Sequence, residues 1–227
     1  MKRSADPLTA ATTAILRPAI RPDGFDLLSR RSFARVRAGI LHFIDLQLST
    51  WGGKMFCVNY AAISLYSPRD HFVLEPGDRL RKESGGEKWW PADNHDSANN
   101  SAFEVVKALK AQALPFFDRA QTTAGYLEIM ERKKGGSFHH LLFERACVYA
   151  RLELNGAAKE ALAAAIRLYG EDGRSWCAAC IVRCEELLAA IERGRVEALL
   201  TQWTDKSIGS LRLEKFLEKM SPENVTR

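Results

Sequence analysis

No run in this chain approaches the ~18 consecutive apolar residues that a membrane-crossing helix needs, so no such span is expected. A phosphate-cradling loop is also missing. Gly52-Gly53 and Gly135-Gly136 are too short for one, and no Lys-Ser or Lys-Thr pair comes after either, which argues against a nucleotide site. Cysteine is scarce and odd in number, five in all. Cys177 and Cys180 form a Cys-x2-Cys, but a structural zinc needs four ligands and no second pair exists, so no metal or other cofactor is expected. Met1-Lys2-Arg3 mimics the start of an export signal, yet Asp6, Pro7 and Arg17 interrupt the stretch after it, and a cytoplasmic address with free buried thiols is the expectation.

What is present is an ordinary globular composition, with 46% hydrophobic and 27% charged residues in 25.4 kDa. A chain of this length buries roughly 70% of the surface its unfolded form exposes, so it can fold without a staple. The net charge of +5 is unevenly placed. Residues 1–40 hold eight Lys/Arg against three Asp/Glu, residues 41–100 six against eight, and the remainder nineteen against seventeen. The surplus comes from the first forty residues, Arg17, Arg21, Arg30, Arg31, Arg35 and Arg37 among them. It can serve an acidic partner or simply be a solvated surface. No recognition helix or RNA-binding aromatic signature accompanies it, so specific nucleic-acid binding is not expected.

Leu8, Ala11, Ala14, Ile15 and Ala19 recur at helical spacing over Pro7 to Ile20, with Pro18 expected to kink or end the helix and Pro22-Asp23-Gly24 to turn the chain. Ser32 to Val36 reads as extended, with a short turn at Ala38-Gly39. Ile40, His42, Ile44, Leu46 and Leu48 then alternate with Asp45, Gln47 and other residues, the period of a strand. Trp51-Gly52-Gly53 reads as the hairpin loop after it. Met55 to Tyr66 is apolar on both faces, which predicts a central strand, and a weaker fourth covers Asp78 to Lys82, near Ser84-Gly85-Gly86-Glu87. Pro91 to Ser101 reads as a polar loop. Helical spacing predicts helices near 102–113, 116–132, 138–153, 156–169, 174–193, 195–203 and 208–219, the pair around 146–169 resembling one tetratricopeptide-type hairpin. Lys133-Lys134-Gly135-Gly136 is the expected hinge between an α+β domain at 1–134 and a helical domain at 135–227. The fold class is α+β, an antiparallel sheet of about four strands flanked by helices, with a helical C-terminal extension.

Leu16-Arg17-Pro18 through Gly24-Phe25, Ser32-Phe33 to Arg37, Phe43 to Ser49, Phe56-Cys57-Val58-Asn59-Tyr60, Arg79-Leu80-Arg81 and Trp89-Trp90 stand in an order that resembles a bacterial family, the domain of unknown function family 4304. Phe103 to Leu114 and Pro115-Phe116-Phe117-Asp118 look like that family's ending, so the resemblance covers about 14–118. It departs at Asp45, where asparagine is the family's choice, and at Tyr60-Ala61, where a small-residue pair is. The resemblance implies a soluble α+β bacterial protein and no activity.

Four groups of side chains are candidates for chemistry. If Gln47 pairs with Met55 and Asp45 with Cys57, then Asp45, Gln47 and Asn59 share one sheet face, either as a ligand site or as the solvated side of an antiparallel sheet. Arg35, Arg37, Arg79 and Arg81 with Trp89 and Trp90 join guanidinium forks to indole faces, which suits an acidic or aromatic partner, although Trp pairs also anchor sheets to helices. Cys177, Cys180 and Cys184 fall on one helix face, the spacing of a core stripe. His139 and His140 point ~100° apart on a helix and do not readily share a ligand, and Cys57 or Cys147 is a nucleophile only with a histidine beside it. These features suggest a non-enzymatic protein-interaction or accessory factor, the immunity type included, that holds a protein partner. The alternative is a hydrolase-like enzyme built around Asp45.

Overall fold

The computed structural model describes residues 6–50, 54–82, 86–132 and 139–220. The loop expected at Trp51-Gly52-Gly53, the turn expected at Ser84-Gly85, the hinge expected at Lys133-Lys134-Gly135-Gly136 and Met1-Lys2-Arg3 lie outside the described residues.

Asp6 caps the first helix by accepting from the Thr9 amide (3.2 Å) and hydroxyl (3.1 Å), and Pro7 occupies the position where a missing N–H matters least. Helix α1 (Pro7–Ala11) passes into a π-turn (Thr12–Leu16) and then α2 (Arg17–Ile20). Pro18 therefore neither ends nor breaks this segment. The wider π-turn makes room for a ring that an α-turn would press against the Ala14 carbonyl. The same device recurs where α3 (His95–Ala108) runs through a π-turn (Leu109–Ala113) into α4 (Leu114–Arg119), which carries Pro115.

The sheet is antiparallel throughout, in the order β1 (Asp26–Leu27), β2 (Ser32–Arg37), β3 (Ile40–Leu48), β4 (Met55–Ser64), β5 (Gly77–Arg79), with β6 (Trp90–Pro91) also on β4. Ala38 (φ 49°) and Gly39 (φ 74°) turn β2 into β3 through two left-handed residues, the conformation whose twist suits a two-residue hairpin. β4 is central and buried on both faces from Phe56 to Ser64. Gly77 lets β5 lie close against it, because a Cβ there would stand 2.2 Å from the Tyr60 carbonyl oxygen. Among the described residues the sheet has the four strands the sequence shows and two more. The additional β1 and β6 are two residues long, too short to show a period.

The β3–β4 register differs from the sequence expectation. Gln47 pairs with Cys57 and Asp45 with Asn59, because the connecting loop is longer than the glycine pair suggested. The slip is two residues, and an even slip leaves every side chain on its face. Asp45, Gln47 and Asn59 therefore still share one.

The first face of the sheet, with Phe33, Ile44, Leu46, Phe56, Val58 and Ala62, packs on α1, α3 and α4 in an apolar cluster that continues through α5 (Thr123–Arg132), α6 (His139–Arg151), α7 (Asn155–Asp172) and α8 (Ser175–Glu192) to α9 (Val196–Ser210). One half of the second face, with Val36, Leu41, Phe43 and Ile63, is covered by Leu211, Leu213, Phe216 and Met220 around α10 (Glu214–Lys219). Two boundaries correct the sequence reading. The polar stretch from Pro91 to Ser101 is largely the first turns of α3: Asn94 accepts from the Ser97 amide (2.9 Å) while the Ser97 hydroxyl accepts from the Asn94 amide (3.1 Å). The segment at 116–132 is two helices, restarted where the Thr122 hydroxyl accepts from the Gly125 amide (3.1 Å). Among the described residues no helix is long and apolar enough to cross a membrane.

One buried ion pair joins sheet to helices. The Glu144 carboxylate on α6 accepts from Ser64 (2.9 Å) at the end of β4 and from the Tyr126 hydroxyl (2.5 Å) on α5, and pairs with Arg69. All of it is nearly closed to solvent. Replacing Glu144 alone strands a buried guanidinium, so Glu144→Ala is expected to lower unfolding free energy by about 3–5 kcal/mol in urea titrations. Glu144→Leu combined with Arg69→Met, which removes both charges, should recover most of that loss. A double variant as unstable as the single one would contradict the stranded-charge explanation.

Candidate functional site

The half of the second sheet face away from α10 carries Asp45, Gln47, Cys57 and Asn59, joined by Arg79 from β5; Cys57 and Asn59 are buried and Gln47 is exposed. Asn59 Nδ2 donates to Gln47 Oε1 (3.0 Å), and Arg79 Nε donates to Asn59 Oδ1 (3.0 Å). Arg79 also reaches Glu87 (2.7 Å) and Gln47 (3.4 Å) and lies 5.6 Å from the centre of the Trp89 ring. The network satisfies itself and uses up the guanidinium fork. Burial pushes the half-buried Asp45 carboxyl up from the usual range, against a smaller pull from Arg31. Burial likewise raises the Cys57 thiol, which makes it a poor nucleophile.

Arg35 and Arg37 are not part of this edge. They stand on β2, with β3 and β4 between them and β5. Arg35 turns toward the first face, where Nε donates to His42 Nδ1 (2.9 Å), Nη1 donates to the Asp23 carbonyl (2.6 Å), and the guanidinium covers Phe25 at 4.7 Å. His42 Nε2 lies 3.0 Å from the Ala120 carbonyl, and the ring stacks on Phe117 at 4.9 Å. A neutral His42 protonated on Nε2 serves both bonds. Arg37 donates to the Val36 carbonyl (3.0 Å). Trp90 is buried against Phe56, while Trp89 remains half-buried beside Arg79. The arginine–tryptophan edge is thus Arg79, Arg81 and Trp89, without Arg35 and Arg37.

Beside that edge runs a groove of about 690 Å³ between the strand end and α3, lined by Arg81, Lys82, Lys88, Glu104, Lys107 and Gln112. Among the described residues its lining holds four cations and one carboxylate. Lys88 pairs with Glu104 (2.5 Å), holding that carboxyl below its usual range, and Arg81 pairs with Asp78 (3.2 Å). The Gln112 amide fixes the wall: it accepts from the Arg81 N–H and donates to the Arg81 carbonyl, both at 2.9 Å, as a neighbouring strand would. Sequence reasoning named Arg81 but missed Lys82, Lys88, Lys107 and Gln112. The available signal was Glu104, Lys107, Ala108 and Ala111 at the i, i+3, i+4, i+7 spacing of one helix face.

Residues 16–119 match the family described as domain of unknown function (DUF4304), in agreement with the resemblance read from the sequence. The match contains the sheet, the polar face and the whole groove, and α5 to α10 lie beyond it. Neither the curated proteins nor the solved structures give a match.

His42 sets a pH dependence. Burial, and after it the charge of Arg35, push its pKa from 6.5 down to about 3. Below pH 6.5 the unfolded chain takes up a proton that the folded chain refuses. The contribution is therefore complete above about pH 6.5 and is lost as pH falls toward 3, at up to about 1.4 kcal/mol per pH unit. His42→Gln keeps an acceptor for Arg35 and a donor for Ala120 without titrating. Its stability between pH 6.5 and 4, measured by urea unfolding, should fall less steeply than that of the parent chain, and equal slopes would refute the assignment.

Proposed function

We propose that this protein, whose residues 16–119 match the DUF4304 family, is a non-enzymatic cytoplasmic interaction or accessory factor, of the immunity type among others, that holds an acidic segment of a protein partner along the β5–β6 edge and α3. The observation that carries the reading is the groove of about 690 Å³ whose described lining holds Arg81, Lys82, Lys88 and Lys107, with Lys88 paired to Glu104 and Arg81 to Asp78. Its cations sit on long side chains beside the middle of α3 and the π-turn after it, away from the helix N-terminus at His95. Such an arrangement lacks the converging backbone amides that grip a compact phosphate, and suits an extended acidic polypeptide. Trp89 adds an aromatic margin. The hydrolase-like alternative rests on the raised Asp45 carboxyl. It has less support, since Arg79 is committed to Asn59, Gln47 and Glu87 and the nearby thiol is poorly ionised.

The test is fluorescence anisotropy with a labelled polyglutamate peptide at low and physiological salt. Binding should weaken with salt, and Lys82→Glu with Lys107→Glu should weaken it about ten-fold or more, since each ten-fold step is about 1.4 kcal/mol. Duplex DNA or RNA should bind no tighter than about 10⁻⁶ M at physiological salt. Peptide binding that is absent, or indifferent to the double reversal, would overturn the groove assignment. Nanomolar duplex binding would move the reading to nucleic acid.

A further inference from the structure

A second cleft, of about 600 Å³, lies between the segment from Ser67 to Val73 and helices α6, α7 and α8, and has Tyr169, Trp176 and Cys180 in its wall. Beside these residues three helix ends converge. His139 opens α6, Asp172 closes α7, and Cys177 lies in the first turn of α8. The convergence has a local cause: Gly173 takes the left-handed conformation (φ 69°) that ends α7 and reverses the chain into α8. Nothing in the local sequence brings His139 to the same place. It arrives because α6 packs antiparallel to α7, and its ring is held 4.5 Å from Tyr169 and 5.3 Å from Trp176.

One ligand atom from each of His139, Asp172 and Cys177 lies within 4.8 Å of the other two, and His139 Nε2 is 3.5 Å from Asp172 Oδ2. Tetrahedral zinc, with bonds of about 2.0–2.3 Å, sets its ligand atoms about 3.3–3.8 Å apart. The widest present spacing, at most 4.8 Å, exceeds that value by about 1 Å. The surroundings fit as well. Cys177 is buried, and the His139 and Asp172 side chains are mostly covered. Arg174 holds both oxygens of Asp172 at 2.5 Å, an outer partner that orients a ligating carboxylate.

We infer that His139, Asp172 and Cys177 form a binding site for a single zinc-class divalent cation, with a fourth coordination position that these three residues do not fill. An imidazole, a carboxylate and a thiolate together suit Zn²⁺ rather than Mg²⁺ or Ca²⁺, which take oxygen ligands. Three protein ligands leave one position for water or for an incoming donor. On binding, the Cys177 S–H bond breaks, its proton passes to buffer, and a sulfur–metal bond forms with no change of oxidation state. The Cys177-x2-Cys180 spacing contributes one ligand to this site, and the other two come from distant helices. The site stands independently of the acidic-partner groove, with which it shares no residue.

The experiment is a titration of the full-length, chelator-treated chain with Co²⁺ and then Zn²⁺, monitored by absorption spectroscopy. A thiolate-to-cobalt charge-transfer band with tetrahedral visible bands should saturate at one cobalt per chain and vanish as zinc displaces it. Cys177→Ser should abolish the charge-transfer band. His139→Gln and Asp172→Asn should weaken binding about ten-fold or more, and Cys57→Ser and Cys180→Ser should leave the band in place. Circular dichroism checks each variant's fold, and if Cys177→Ser unfolds, His139→Gln carries the test with the thiol intact. Absence of any charge-transfer band in the parent chain at a large excess of cobalt, its survival in Cys177→Ser, or its loss in Cys180→Ser instead would overturn the assignment.

Discussion

The Glu144 carboxylate is the joint on which the arrangement of sheet and helices depends. It sits where β4 ends, takes the Ser64 hydroxyl from the sheet and the Tyr126 hydroxyl from α5, and holds Arg69 by charge. A carboxylate so enclosed is tolerated only because every partner is in place, and each partner belongs to a different element. Burial beside it drives the Tyr126 hydroxyl well above its ordinary pKa, which keeps that group a donor. Arg69 is tethered in turn: its amide donates to the Ser207 hydroxyl on α9 (3.1 Å), which reaches the Ser67 carbonyl (3.3 Å). One ion pair thus fixes the segment that walls the second cleft and sets the line along which α9 leads to α10.

That path divides the second sheet face. Where α10 lies, the strands present Val36, Leu41, Phe43 and Ile63; where it does not, they present Asp45, Gln47 and Asn59. The change of chemistry falls within single strands: β3 passes from Phe43 to Asp45, and β4 from Asn59 to Ala61. A second face covered by apolar side chains at one end and by its own hydrogen-bonded polar side chains at the other produces this pattern without any ligand having shaped it. The polar half is therefore sufficiently explained as a self-satisfied network, in which Asn59 is buried and Gln47 exposed, and the groove beside it is where the described lining carries more cations than carboxylates.

Strand positions and the central place of β4 were legible because alternation and two-sided burial leave a mark in sequence, and the Ala38-Gly39 turn was legible from glycine. Arg35 was not. It shares a face with Phe33 and Arg37, while Ala34 and Val36 form the other side, so looking for a single apolar face assigns the arginines to solvent. Both faces are core here, and Arg35 is accommodated inside because His42, the Asp23 carbonyl and the Phe25 ring replace its water. The start of α3 was hidden for a related reason. Asn, Asp and Ser are the residues of loops and equally of capped helix ends, and only the Asn94–Ser97 exchange separates the two.

The cysteines show the same limit at the level of a site. Spacings of three and four put Cys177, Cys180 and Cys184 on one face of α8, and burial of Cys177 and Cys184 agrees with a core stripe. A stripe, however, has an end, and where α8 begins its first member, still buried in the core, also meets whatever the neighbouring helix ends supply. Here those ends supply an imidazole and a carboxylate. Local spacing can describe ligands that share a loop or a turn, as in paired Cys-x2-Cys sites, because there the metal is held before the fold is complete. Ligands carried on the ends of three packed helices have no such signature. Their separation in sequence is set by helix length, their separation in space by packing, and only the second decides whether an ion can bind.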